Sequence, residues 1–355
     1  MPEHRSLAGQ LTDMPGMPAA GHNDAYAWPV VANAALAEIM RRLFPTAPAE
    51  RLVGVDRLEA SLAATAPRGI RERSVERGRS VASAVFAWST TDGGHEGYVR
   101  NVQPDYQPPT GEGLWVPTPP AFLPPLQPSW GRNRTFVPTA ACDPGSPPAY
   151  STDPDSACFV EALEVYDAVN RLTAEQLAIA RFWADDPGAT ATPAGHSLAI
   201  LVAALRNPVA DLATAAAAMA RVGIAVSDAF VACWRAKYTH NLLRPITYVR
   251  QTIDATWGDP LPVTTPPFPE YTSGHSAQSA AAATVLTAQF GALAFVDRTH
   301  EARGLPPRGF DSFDAAAAEA AISRLYGGIH FRSAIERGLD QGRCIGQRVL
   351  ELTLL

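Results

Sequence analysis

Three short segments in the last third of the chain bring together residue types suited to holding a tetrahedral oxyanion. The first runs Lys237-Tyr238-Thr239-His240-Asn241-Leu242-Leu243-Arg244-Pro245. On a helix, positions seven apart share a face, so the spacing predicts Lys237 and Arg244 side by side with His240 near them. Pro245 disfavours the helical conformation at Arg244 and should end the helix there. The second runs Phe268-Pro269-Glu270-Tyr271-Thr272-Ser273-Gly274-His275-Ser276, a Pro-rich loop entering a helix through Ser-Gly. A hydroxyl, a glycine amide and the unpaired N–H groups of a helix start make an anion-binding nest, and His275 at its mouth is suited to moving protons. The third runs Ser323-Arg324-Leu325-Tyr326-Gly327-Gly328-Ile329-His330-Phe331-Arg332, where two glycines permit a reversal between Arg324 and His330.

Each segment alone has an ordinary reading: a solvated basic helix end, a serine N-cap, a helix–loop–helix corner. Together they supply three permanent cations (Lys237, Arg244, Arg324), donors at Ser273 and Gly274, and two imidazoles. That set suits phosphate or vanadate, with one histidine to attack or ligate and the other to transfer protons.

In this order, Lys-x6-Arg-Pro, Ser-Gly-His and Ser-Arg-x5-His resemble the signature shared by vanadium-dependent haloperoxidases and the type 2 phosphatidic-acid phosphatases. Phe182-Trp183-Ala184-Asp185-Asp186-Pro187-Gly188 and Trp115-Val116-Pro117-Thr118-Pro119-Pro120 are similar to the bacterial haloperoxidase branch. The resemblance implies an all-α fold of two four-helix bundles and a vanadate cofactor, with phosphate able to occupy the same site. It places Lys237, Arg244, Ser273, Gly274 and Arg324 on the vanadate oxygens, His330 as the vanadium ligand and His275 as the acid–base group. Lys237 would polarise bound peroxide, Asp186 would pair with Arg324, and Trp234 and Phe268 would line the halide side. The implied reaction is oxidation of halide by hydrogen peroxide to hypohalous acid, with a small organic acceptor. Phe268 stands where algal bromoperoxidases carry histidine, an arrangement closer to the chloroperoxidases.

Two departures bear on the alternative of a soluble acid phosphatase with His330 as phospho-acceptor. Thr272 replaces the proline before Ser-Gly-His, and Ala334 replaces an aspartate four residues after the last histidine. A phosphatase gains from a carboxylate that orients its nucleophilic imidazole, whereas a backbone carbonyl can hold a vanadium ligand. A third reading is a non-catalytic oxyanion-binding protein.

The elements that must position these residues are helical almost throughout. Apolar periodicity predicts helices over 29–44, 77–88, 155–170, 194–205, 210–234, 275–295, 314–325 and 332–352. Thr173 and Gln176 form a capping box for another that runs to about Trp183. Between 92 and 150 the period is lost among Pro, Gly and aromatics, a segment too long to be a plain connection. We therefore expect one all-α domain over 1–355, with N-terminal helices and a long Pro-rich loop in 1–150 and the site-bearing helical core in 151–355. His196 reads as a packed helix-start residue, and His240 as no more than a neighbour of the site.

The 355 residues carry 29 basic and 35 acidic side chains, a net charge of −6. A chain this acidic has no global attraction for nucleic acid or anionic membranes, so the oxyanion site must be local. The weakly polar run 280–296 is broken by Thr284, Thr287 and Gln289 and falls short of the ~18 apolar residues a membrane span needs. No apolar stretch follows Met1–Arg5, so no signal peptide is visible, and a soluble cytoplasmic protein is the expectation. The aromatic loop offers a surface for a homodimer. Cys142, Cys158, Cys233 and Cys344 read as free thiols, with a Cys142–Cys158 bridge as the alternative, requiring an oxidising compartment.

Overall fold

The computed structural model describes residues 6–21, 24–206, 210–258 and 260–354. The signal-peptide reading at Met1–Arg5 lies outside them. The chain divides into two compact units, Ser6–His95 and one formed chiefly by Glu96–Leu355.

The first unit holds α1 (Trp28–Leu43), α2 (Ala49–Ala63) and α3 (Arg68–Ser89). Prolines sit at or just before each start, at positions 29, 48 and 67, where the missing N–H costs nothing. Gly78 of α3 meets α1 so closely that a Cβ there would lie 2.3 Å from the Val31 carbonyl. Helix α2 has no counterpart among the sequence expectations. Only Glu59 and Ala63 are buried in it, so it carries too thin an apolar stripe to declare itself. Glu59 ties it to its neighbours by ion pairs to Arg41 and Arg79.

The second unit holds α4 (Ala157–Asn170), α5 (Ala174–Phe182), α6 (Thr192–Leu205), α7 (Leu212–His240), α8 (Pro245–Thr252), α9 (Gly274–Phe290), α10 (Phe313–Tyr326) and α11 (Arg332–Leu350). The capping box at Thr173 is present. Among the described residues the only named strands are β1 (Phe295–Asp297) and β2 (Arg308–Phe310), an antiparallel pair. Helix α9 therefore stops at Gly291, with φ +75°, rather than running on to Phe295. The architecture is all-α helical-bundle.

Helix α9 is the hub. Ser276 to Ala283 are all buried, as expected of a helix surrounded on every side, and it packs against α7, α10 and α11. Its small residues let α11 approach. Cβ atoms added at Gly338, Gly342 and Gly346 would lie 2.9 Å from the Ser273 carbonyl, 2.0 Å from the Ala277 carbonyl and 2.6 Å from Thr284 Cβ. Side chains on that stripe would force the helices apart.

Helix α7 is the one described helix long and apolar enough to cross a membrane by length and composition. Here it is a core helix, with Asp228 and Lys237 fully buried. Asp228 accepts hydrogen bonds from the Phe136 and Val137 amides at 2.8 and 2.9 Å, fastening the Pro-rich segment to α7.

The cysteine expectation is corrected. Cys142 and Cys344 form a disulfide across 202 residues of sequence, while Cys158 and Cys233 are free and buried. The bond joins the Ala140–Cys142 turn to α11. Cys344 lies on the half-buried flank of α11, not in its apolar face. Cys158 instead points into the core beside α8.

Candidate active site

The basic segment is not one helix. Helix α7 ends at His240, and Asn241 takes a left-handed cap with φ 47°. Arg244 is the N-cap of α8. Lys237 and Arg244 thus converge through a turn between two helices, not through a shared helical face. The Pro-rich segment holds that turn: Trp115 N donates to Asn241 O at 2.7 Å, and Leu243 N donates to Gly113 O at 3.0 Å.

Lys237, Arg244 and Arg324 are almost completely buried. The Lys237 ammonium donates to the carbonyls of Pro269, Glu270 and Thr272 at 3.0, 2.8 and 2.6 Å, and burial brings its pKa down to about 8. Arg244 donates to Phe268 O at 2.8 Å and Ile329 O at 2.9 Å, so it ties the second segment to the third. Arg324 donates to Ser323 Oγ at 2.9 Å and Ala180 O at 3.2 Å. Burial lowers both arginines to about 10. They remain cations at neutral pH.

Ser273 caps α9, accepting from Ser276 N at 3.3 Å, and its own N–H donates to the Ala334 carbonyl at 3.0 Å. Gly274 follows, opening the helix with its unpaired amides.

The two histidines are prepared differently. The His330 ring nitrogens have separate partners: Nδ1 lies 2.7 Å from Glu270 Oε1, and Nε2 lies 3.3 Å from Arg244 Nη1. A carboxylate on one side and a guanidinium on the other assign the proton to Nδ1, leaving a lone pair on Nε2. Burial, then the charges of Arg244, Lys237 and Arg324, hold its pKa well below the ordinary value. His275 has a buried Nε2 with no hydrogen-bond partner, and burial followed by Arg324 holds it low as well.

Glu270 was not among the sequence candidates. It is fully buried, accepts Phe331 N at 2.9 Å as well as His330, and is pushed up to about 7 by burial against the pull of Lys237 and Arg244. It corrects the expectation that His330 lacks a carboxylate partner. Ala334 does replace an aspartate, but the acid comes from the second segment. The signal was a lone glutamate in an apolar Pro-aromatic run.

Asp186 is exposed, and no ion pair joins it to Arg324 among the described residues. The buried acid is its neighbour Asp185, whose charge acts on both Arg324 and His275. His196 Nδ1 lies 2.9 Å from Asp185, its Nε2 lies 2.6 Å from Asp297, and His300 Nε2 lies 3.1 Å from Asp185. Burial opposes it, but the two carboxylates raise His196 to about 9, and the two imidazoles hold Asp185 low. Trp183 stacks on His196 with centroids 4.5 Å apart. Asp185, His196 and His300 have metal-ligand spacing, and His196 is held between the Asp185 and Asp297 carboxylates. His196 is thus packed at a helix start, as read, and also carries a buried ionic network.

Trp234 and Phe268 pack at 4.8 Å, with Lys237 Nζ 5.2 Å from the Phe268 ring centre and Arg244 Cζ 5.0 Å from it. These aromatics form an apolar wall against the cations. His240 meets Tyr271 edge-on at 5.3 Å and touches none of the cations.

An orphan imidazole nitrogen, a second imidazole beside three cations and a helix start thus lie in one buried cluster. Residues 217–354 match the family model described as the VCPO second helical-bundle domain. The structure of the first bacterial vanadium-dependent iodoperoxidase is 38% identical, with TM-score 0.88 over 99% of this chain and 86% of that one. Holo and apo structures of a bacterial vanadium-dependent chloroperoxidase are 16% identical. Their TM-scores are 0.68 and 0.70, covering 91% and 96% of this chain and 81% and 86% of theirs, and they share the fold. No curated protein matches in sequence. The chain belongs to the vanadium-dependent haloperoxidase family.

Proposed function

We propose that this protein uses vanadate to oxidise halide with hydrogen peroxide and one proton taken from solvent, giving hypohalous acid and water. The observation that carries the reading is the 2.7 Å contact of His330 Nδ1 with Glu270, which leaves Nε2 facing Arg244 and, with the proton assigned to Nδ1, gives it a free lone pair. A metal ligand needs that lone pair and a fixed ring.

The donor set fits vanadate. His330 Nε2 would ligate it, Arg244, Arg324 and Lys237 would offset its negative charge, and Ser273 and Gly274 would donate to its oxygens. When bound, the oxyanion supplies Lewis-acid activation of peroxide without a change of valence. His275 Nε2, buried without a hydrogen-bond partner among the described residues, would take a proton from peroxide and return one to the leaving oxygen. Lys237 spends its three N–H groups on backbone carbonyls in this state, so engaging peroxide requires it to release one. Trp234 and Phe268 keep water from the halide, which must shed part of its hydration to react.

A second reading, an acid phosphatase with His330 as phospho-acceptor, gains from Glu270, which supplies the orienting carboxylate such a nucleophile needs. The apolar wall favours the peroxidase, since a phosphate ester is strongly hydrated. The 38% identity to an iodoperoxidase makes iodide the first halide to assay. The Cys142–Cys344 bond favours folding in an oxidising compartment over the cytoplasmic expectation.

The test is triiodide and bromination rates before and after adding orthovanadate, with p-nitrophenyl phosphate hydrolysis on the same metal-free preparation. Vanadate-stimulated halide oxidation is expected. Brisk ester hydrolysis without it would establish the phosphatase.

A further inference from the structure

A cleft of about 400 Å³ opens beside the oxyanion cluster, walled by Trp130, Phe230, Trp234 and Leu198. Its polar lining is limited to Gln127 and Ser227, and no charged side chain faces it. Its size and chemistry are those of a small-molecule site, mostly apolar with a few hydrogen-bonding groups.

The cleft shares a wall with the active site. Phe230 and Trp234 meet edge-on at 5.5 Å. A Cβ built on Gly274 would lie 3.6 Å from Phe230 Cε1 and 3.7 Å from Trp234 Cζ3. The edges of these rings therefore lie beside Gly274, the residue that opens α9. Trp234 also touches Phe268 on the halide side. One aromatic layer separates the cleft from the cations.

We propose that this cleft binds the organic acceptor, an uncharged flat aromatic of the phenol or naphthol type. The inference rests on the haloperoxidase reading for its chemistry but not for its binding. Aromatic walls stack on a flat ring, Gln127 and Ser227 serve a single hydroxyl, and the lack of charge rejects ionic acceptors. Hypohalous acid leaving the oxyanion cluster passes the Trp234 edge to reach the ring in the adjoining cleft. A carbon–halogen bond forms as the halogen–oxygen bond breaks, and the ring proton leaves with the departing hydroxide as water. Halogenation is then directed by the protein instead of by free reagent.

Gly223 supplies the test. It lies in α7 and lines the cleft, and a Cβ there meets nothing within 4 Å, so a larger side chain such as Gly223→Phe can start into that space. Metal-free protein is titrated calorimetrically with 2-naphthol. We expect saturable binding that Gly223→Phe weakens by about tenfold or more. If that variant does not fold, Leu198→Glu, at a residue 41% exposed, places a charge at the same cleft and should weaken binding likewise. In vanadate-loaded protein, Gly223→Phe should leave triiodide formation unchanged. It should also shift the bromonaphthol isomer ratio from an enzyme-specific value to that of reagent hypobromous acid. Absence of saturable binding, equal affinity in the folded variant, or a wild-type isomer ratio equal to the reagent's would overturn the proposal. Failure of halide oxidation alone overturns the haloperoxidase reading, and the calorimetric arm still decides the cleft.

Discussion

The Glu270 carboxylate holds His330 Nδ1 at 2.7 Å from a position sixty residues away, and that contact determines which imidazole nitrogen faces the three cations. Two demands meet in one acid: it orients the ring and offsets Lys237 and Arg244. Glu270→Gln keeps an acceptor for Nδ1–H but removes the charge, and Glu270→Ala removes both. Loss of such a partner costs about 10–100-fold in metal affinity. We expect vanadate affinity to fall in the order wild type, Gln, Ala, measured by vanadium-51 NMR titration. Equal affinity in all three would show that the contact does not orient the ligand.

The two histidines should fail in different ways. His330→Ala removes the only proposed protein bond to vanadium and should abolish vanadate retention. His275→Ala should retain vanadate but lose about 10²–10⁴-fold in turnover, the usual worth of a general acid–base group. Retention is read by equilibrium dialysis and turnover by triiodide formation. Parallel losses of binding would contradict the division.

Stability at alkaline pH should depend on His196. Its folded pKa, about 9, exceeds the ordinary 6.5. Its contribution is therefore complete below pH 6.5 and lost as pH rises through 9. The shift is worth about 3 kcal/mol at most. Lys237, lowered to about 8, works in the opposite sense over part of that window, but it is common to both proteins. The difference in melting temperature between wild type and His196→Gln should therefore shrink from pH 6.5 to 9.5. A constant difference would mean that His196 does not titrate between its two carboxylates.

The disulfide gives a thiol count of two, not four. Non-reducing peptide mapping should recover Cys142 linked to Cys344, with Cys158 and Cys233 alkylated only after denaturation. Cys344→Ser should lower stability by about 2–4 kcal/mol. Four free thiols in oxidised protein would refute the pairing.

The fold class was legible from helical periodicity, and the three motifs supplied the residues that bring Arg244, Lys237, Arg324 and His275 within electrostatic reach of His330. What escaped the sequence is non-local. Glu270 acts on a ring in another segment, and His196 is held by Asp185 and by Asp297, which lies 101 residues on. Asp185 is the buried carboxylate and Asp186 the exposed one, although the charges of both act on Arg324. The disulfide spans too much chain for spacing to reveal it, and the turn at Asn241 replaced a helix because its cap was read as helical interior.

The glycine stripe on α11 has a consequence for ion selectivity. Ser273 starts α9, His330 stands just ahead of α11, and the Ser273 N–H to Ala334 carbonyl bond spans the gap between the two helices. The helices act as the jaws of a caliper whose opening is set by Gly338, Gly342 and Gly346. Vanadate is larger than phosphate, so an anion proposed to sit between Ser273 and His330 would be gauged by interhelix spacing along a whole face. One methyl group at position 338 would change that gauge without altering any proposed ligand.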